Sequence, residues 1–181
     1  MSSLNLILGK RGKGKSTLLK TIVLEHARAR PDLPWLVWDT TAEWSVPPWA
    51  DPETFRILPG TQWTAEDAAE LAIELADPDD WGGAVLVMDE LDRAAHCRKP
   101  PPAGSALYEV IHMGRHVDVA LIAAARRPSS LATDVQELID VAWIHGLSGR
   151  NDMTWVRDTF GKEVAERVSQ LADYEWLRVD P

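Results

Sequence analysis

Gly9-Lys10-Arg11-Gly12-Lys13-Gly14-Lys15-Ser16 matches the pattern G-x-x-x-x-G-K-[ST] at every fixed position. Each fixed residue type has a chemical reason. Backbone N–H groups can wrap a polyphosphate only where the chain turns sharply and no side chain blocks approach, which calls for glycine. A lysine at the sixth residue after the first glycine neutralises β- and γ-phosphate oxygens, and the next hydroxyl can hold Mg²⁺. The four fixed positions coincide by chance roughly once in 200 chains of this length. Gly9 through Thr17 therefore form the predicted nucleotide-binding segment, with Lys15 and Ser16 as its charged and metal-holding members. Lys10, Arg11 and Lys13 are not specified by the pattern; they add positive field at the phosphates or lie on a solvated loop face.

A second group follows a continuous apolar run, Ala84-Val85-Leu86-Val87-Met88, which ends in Asp89-Glu90. An aspartate at the carboxyl end of a buried strand beside a phosphate loop orients the water shell of Mg²⁺. The adjacent glutamate is then placed to act as general base on the water that attacks the γ-phosphate. Asp39 and Glu43 end another apolar run, Trp35–Trp38, and either could approach the γ-phosphate or serve only as a loop cap.

The elements that must position these groups alternate along the chain. Leu4–Leu8 reads as a buried strand that Gly9 stops, and Lys15 to about Arg30 reads as a helix with Leu18, Leu19, Ile22, Val23 and Ala27 at helical spacing. Further strands are expected at Trp35–Trp38, Phe55–Leu58, Ala84–Met88, Val119–Ala124, Val141–His145 and Tyr174–Val179. Helices are expected at Thr64–Ala76, opened by a Thr64/Asp67 capping box, and at Ser105–Met113, Ser130–Leu138 and within Asn151–Leu171. Asp77–Asp80 and Gly82-Gly83 read as a connection. The β-α alternation predicts an α/β fold with a mostly parallel central sheet flanked by helices, in one domain spanning 1–181.

Composition narrows the function classes. Asp and Glu outnumber Lys and Arg 28 to 19, a formal charge of −9, which excludes coating nucleic acid through a general positive field. The lone cysteine, Cys97, excludes an intrachain disulfide and fits a reducing compartment. No apolar stretch reaches the eighteen or so residues of a membrane span. The five histidines show no metal-ligand spacing with Cys97, so no zinc site is read. The nine tryptophans are scattered, which suits packing better than stacking on bases.

Two further stretches complete a family pattern: Glu43-Trp44 after Asp39, and Arg126-Arg127-Pro128 after the Val119–Ala125 run. With the phosphate loop and Asp89-Glu90, the set resembles the FtsK/HerA-type P-loop ATPases. These ring-forming motors pump DNA and include the packaging ATPases of membrane-containing icosahedral viruses and prophage relatives similar to zonula-occludens-toxin proteins. The resemblance implies an ASCE/RecA-like P-loop NTPase, ATP and Mg²⁺ as ligands, and Lys15, Glu90, Arg126 and Glu43 as catalytic residues, with Ser16 and Asp89 at the metal. Arg126 stands where the family carries a sensor glutamine, a departure under which the arginine itself contacts the γ-phosphate. The resemblance further implies a homo-oligomeric ring, as a hexamer, on double-stranded DNA, with capsid vertex proteins as partners and a cytoplasmic or virion-associated location in a host cell. Arg93, His96, Arg98 and Lys99 would line such a ring's pore, or form a basic solvated loop. Arg115, Arg126, Arg127, Arg150 and Arg157 are candidate arginine fingers, Arg126 in cis and Arg150 in trans being preferred. An assembly or export ATPase of the zonula-occludens-toxin branch and a small-molecule phosphotransferase are the alternatives, the latter disfavoured by the Asp89-Glu90 pair.

Overall fold

Leu4, Leu6 and Leu8 point to one face of the first strand and Ile7 to the other, and both sets are buried. The same two-sided burial recurs in Ala84–Met88 and Val119–Ala125, the signature of strands covered by helices on both faces. The computed structural model describes residues 4–76 and 83–180. Its strands are β1 (Leu4–Leu8), β2 (Trp35–Asp39), β3 (Phe55–Pro59), β4 (Ala84–Met88), β5 (Val119–Ala125), β6 (Ile139–His145) and β7 (Trp176–Val179). They form one sheet in the order β3-β2-β4-β5-β1-β6-β7, parallel throughout except for the antiparallel β6–β7 pair. The fold is the expected α/β arrangement, and β5 lies between the strand feeding the glycine loop and the strand ending in Asp89-Glu90.

One face of the sheet is covered by α1 (Lys15–Ala29) through Leu19, Ile22, Val23 and Ala27. The other carries α2 (Ala65–Leu75), the short α3 (Leu91–Ala94), α4 (Ala106–Met113), α5 (Thr133–Glu137), α6 (Arg150–Phe160) and α7 (Lys162–Gln170). The capping box forms as expected: the Thr64 hydroxyl accepts from the Asp67 N–H, and Asp67 accepts from the Thr64 N–H at 2.8 Å. Gly161, at φ 94, separates α6 from α7.

Three boundaries differ from the sequence expectation by two residues or more. The helix expected over Ser130–Leu138 is reduced to a 3-10 turn at Pro128–Ser130 and the five-residue α5. Between them Leu131 is extended and fully buried, and its neighbours pair with the segment after α3, the Ala132 N–H donating to the Ala95 carbonyl at 3.1 Å and the Cys97 N–H to that of Ser130 at 2.9 Å. Tertiary pairing thus replaces helical hydrogen bonds there. Strand β6 begins at Ile139, two residues before the expected Val141. The last strand starts at Trp176 because Tyr174 adopts a left-handed φ of 68, which no strand tolerates. Helix α3 had no periodic signal in four residues. Of the expected connection, Asp77–Asp80 and Gly82 lie outside the described residues, as does Trp81.

Trp35 and Trp38 are buried in the sheet, whereas Trp49 and Trp176 are exposed. Among the described residues no helix is long and apolar enough to cross a membrane.

Candidate functional site

The loop between β1 and α1 is shaped by its glycines. A Cβ on Gly9 would stand 2.7 Å from the His145 Cβ, so only glycine passes over the end of β6. Gly14, at φ 96, turns the chain into α1, whose first residue is Lys15. The Lys15 ammonium donates to the Lys10 carbonyl at 3.1 Å. Burial lowers its pKa from the usual lysine range, opposed by the nearby Asp89 and Asp92 carboxylates and reinforced by Arg126.

Opposite the loop, Asp89 at the end of β4 is 4% exposed. The Ser16 hydroxyl donates to its Oδ1 at 3.2 Å, and among the described residues Oδ2 is buried without a hydrogen-bond partner. Burial pushes the Asp89 carboxyl above the usual carboxylate range, the Ser16 hydrogen bond pulls it back, and the Glu43 and Glu90 charges push it up again. An orphaned carboxylate oxygen beside a serine hydroxyl is an all-oxygen donor pair suited to a hard divalent cation, so these residues fit Mg²⁺.

Glu90 is turned aside. Its Oε2 accepts from the Thr40 hydroxyl at 3.1 Å and makes an ion pair with the Arg93 Nε. Arg126, at the tip of β5, donates from Nε to the buried Asp92 at 3.1 Å while keeping about half its side chain exposed. Asp39 faces its own loop, accepting from the Thr41 N–H at 3.0 Å, the Thr41 hydroxyl at 3.2 Å and the Trp44 N–H at 3.0 Å. Burial alone would raise the Asp39 carboxyl, but the Trp44, Thr41 and Glu43 main-chain hydrogen bonds hold it below the usual range. Of the two carboxylates that could reach the phosphates, Asp39 is therefore the loop cap, and its cap shapes the turn that brings Glu43 to the cavity.

These groups surround a cavity of about 540 Å³. Of the expected site residues, Arg11, Gly12, Gly14, Lys15, Ser16 and Thr17 line one wall, and Glu43, Asp89, Glu90 and Arg126 the other. Gly9, Lys10 and Lys13 do not line it. Gly9 packs on His145, the Lys10 ammonium donates to the Ser148 hydroxyl, and Lys13 forms an ion pair with Asp173. Lys10 and Lys13 thus tie the loop to the segments flanking β6 and β7. The remaining arginine candidates lie elsewhere: Arg115 bonds Asp140 at 3.2 Å, Arg127 is exposed beside the Pro128–Ser130 turn and does not line the cavity, Arg157 pairs with Asp158, and Arg150 lines a separate groove beside α6.

Sequence reasoning missed four residues. Thr40 and Asp92 hold the expected Glu90 and Arg126; the density of charge in Asp89-Glu90-Leu91-Asp92-Arg93 was the available signal. His145 is 1% exposed beneath the loop, and burial lowers its pKa. Tyr174 lines the cavity from the β7 side with 70% of its surface exposed. Neither the histidine nor the tyrosine carried a local signal. Arg93, read from the sequence as part of a basic pore cluster, has its guanidinium on Glu90.

No family model matches the sequence, and no curated protein matches it. The fold has close counterparts among solved structures. The genome packaging NTPase of Sulfolobus turreted icosahedral virus 2, solved in complex with ATP-gammaS, superposes with a TM-score of 0.84 at 20% identity, over 99% of this chain and 92% of that one. The DNA-packaging ATPase of Sulfolobus turreted icosahedral virus gives 0.76 at 22% identity, over 98% and 92%. The N-terminal domain of zonular occludens toxin from Neisseria meningitidis gives 0.53 at 19% identity, over 83% and 79%. At these identities the likeness establishes the fold alone: a mostly parallel α/β sheet flanked by helices, arranged as in those proteins.

Proposed function

We propose that this protein is a genome-packaging ATPase that hydrolyses ATP to drive double-stranded DNA into a viral procapsid. The observation that carries the reading is the Ser16–Asp89 contact at 3.2 Å across a cavity that also holds Lys15, Glu90 and Arg126. The packaging NTPases, similar over nearly the whole chain, support it.

In this reading the loop and Lys15 take the triphosphate, and the buried carboxylates opposite keep the Lys15 ammonium charged. Mg²⁺, held by Ser16 and Asp89, would neutralise the phosphate charge. Glu90 takes the proton of a water whose oxygen attacks the γ-phosphorus, and the bond to the bridging oxygen breaks with its electrons left on ADP. For this the Glu90 carboxylate must leave Arg93 or reach the water while still bound to it. Arg126 and Glu43 face the γ-phosphate.

The motor acts as a homo-oligomeric ring of six, in the host cytoplasm, docked at a capsid vertex. A ring multiplies the basic residues Arg98 and Lys99 around a pore, offsetting the −9 charge of each chain. The lower likeness to the zonular occludens toxin domain supports, less strongly, an assembly or export ATPase.

The test is steady-state ATP hydrolysis with and without double-stranded DNA. Turnover should rise with DNA, Lys15→Ala should abolish binding, and Glu90→Gln should bind ATP while losing about 10²-fold or more in kcat. Turnover by assembled protein that ignores DNA would refute the motor, and ATP binding that survives Lys15→Ala would refute the site.

A further inference from the structure

The cavity is chemically lopsided. Every acidic residue that lines it, and Arg126, comes from the carboxyl ends of β2, β4 and β5 or the turns after them, all on one side of β1 in the sheet order. A triphosphate bound across the loop therefore has its reacting end on that side. Its other end must point across β1 toward β6 and β7, the only strands beyond it among the described residues.

What stands there is Tyr174. It is 70% exposed, more than any other large apolar side chain in the described residues. Its backbone has a left-handed φ of 68, a conformation that costs a non-glycine residue of order 1 kcal/mol. The ring leans on the loop: its Cδ1 lies 2.9 Å from where a Gly14 Cβ would be, so glycine at 14 is what admits the ring. The turn is fastened on both sides. Asp173 pairs with Lys13 of the phosphate loop, and Glu175 Oε2 accepts from the Ala172 N–H at 2.9 Å. Both polar neighbours of Tyr174 are thus occupied in holding the turn, and the aromatic face is what remains to meet a ligand. Packing does not account for a large ring kept in solvent on a strained backbone. A planar aromatic ligand does, because stacking rewards a rigid, pre-placed ring.

We propose that Tyr174 is the nucleobase platform: a purine nucleoside triphosphate lies with its γ-phosphate toward Asp89 and Glu90 and its base stacked on the tyrosine ring. This rests on the ATP-hydrolysing reading above and adds how the base is held. Stacking without hydrogen-bond readout accepts any purine, so adenine and guanine nucleotides bind with similar affinity.

Calorimetric titration of the full chain with ATP, GTP and inorganic tripolyphosphate tests this. Tyr174→Gly removes the ring while suiting the positive φ, and Tyr174→Phe keeps the stacking face. The glycine variant should bind ATP and GTP about tenfold more weakly and tripolyphosphate within about twofold of the parent, with the phenylalanine variant close to the parent on all three. Unchanged ATP affinity in Tyr174→Gly, or an equal loss for tripolyphosphate, overturns the platform. Lys15→Ala separates the two readings. It should lose all three ligands, and if it binds them like the parent the phosphate site itself is wrong, whatever Tyr174 does.

Discussion

The two flanks of the phosphate loop are built on opposite terms. On the β4–β5 flank, ionisable groups are buried and neutralise one another: Asp89 and Asp92 are almost fully buried, with Ser16, Lys15 and Arg126 around them. On the β6–β7 flank the buried contact is neutral, Gly9 against His145, and the charged contacts, Lys10–Ser148 and Lys13–Asp173, lie toward solvent. A buried charge is tolerable only with a named partner, so chemistry on the first flank constrains residue types closely. The second flank is held by shape and by surface pairs that many sequences could supply.

The sharpest way to break that contrast is to attack the neutral contact. Gly9→Ala drives a methyl to within 2.7 Å of the His145 Cβ and should cost about 1–3 kcal/mol in chemical denaturation, with weakened ATP binding as the loop shifts. A variant as stable as the parent would mean that β6 yields freely, and the flank is not held by shape.

Asp89→Asn probes the charged flank and should have the opposite sign. Because burial raises the folded-state pKa of Asp89 above its ordinary 3.8, the ionised carboxylate is a burden on the folded protein at neutral pH. That burden is full above the raised pKa and vanishes once pH falls below 3.8. Asparagine should therefore raise stability at pH 7, the gain shrinking as thermal melts are taken at falling pH. A gain that persists at low pH would trace to packing instead.

Much of the charged flank was legible because its chemistry prescribes residue types at fixed spacing. Gly12 and Gly14 of the loop, Lys15, Ser16 and the carboxylates after an apolar run stand on the walls of one cavity. Seven strands were likewise legible from apolar runs bounded by turn residues. The partners were not. Thr40 meets Glu90 across 50 positions of sequence, and Arg126 meets Asp92 across 34, distances that only the sheet order closes. Tyr174 escaped because an exposed aromatic in a turn has no periodicity, and the helical pattern over Ser130–Leu138 does not become one helix because the residues around Leu131 trade helical bonds for the 95–97 segment.

The smallest effect should come from the surface pair. Lys13→Ala removes an ion pair whose aspartate is two-thirds exposed and should cost less than about 1 kcal/mol, fading further in high salt. A loss as large as that of Gly9→Ala would show the turn before β7 to be stitched into the loop, erasing the difference between the flanks.

The place of β5 constrains how work can leave this site. It is laddered to β4 on one side and β1 on the other, and each of its residues from Leu121 to Ala123 is paired both ways. The strand cannot slide, tilt or peel by itself without breaking two rows of inter-strand hydrogen bonds. The sheet therefore behaves as an anvil. In the motor proposed above, a stroke would be delivered by what projects from its carboxyl edge, the arginine on β5 and the short helix after β4, joined through the Arg126–Asp92 bond.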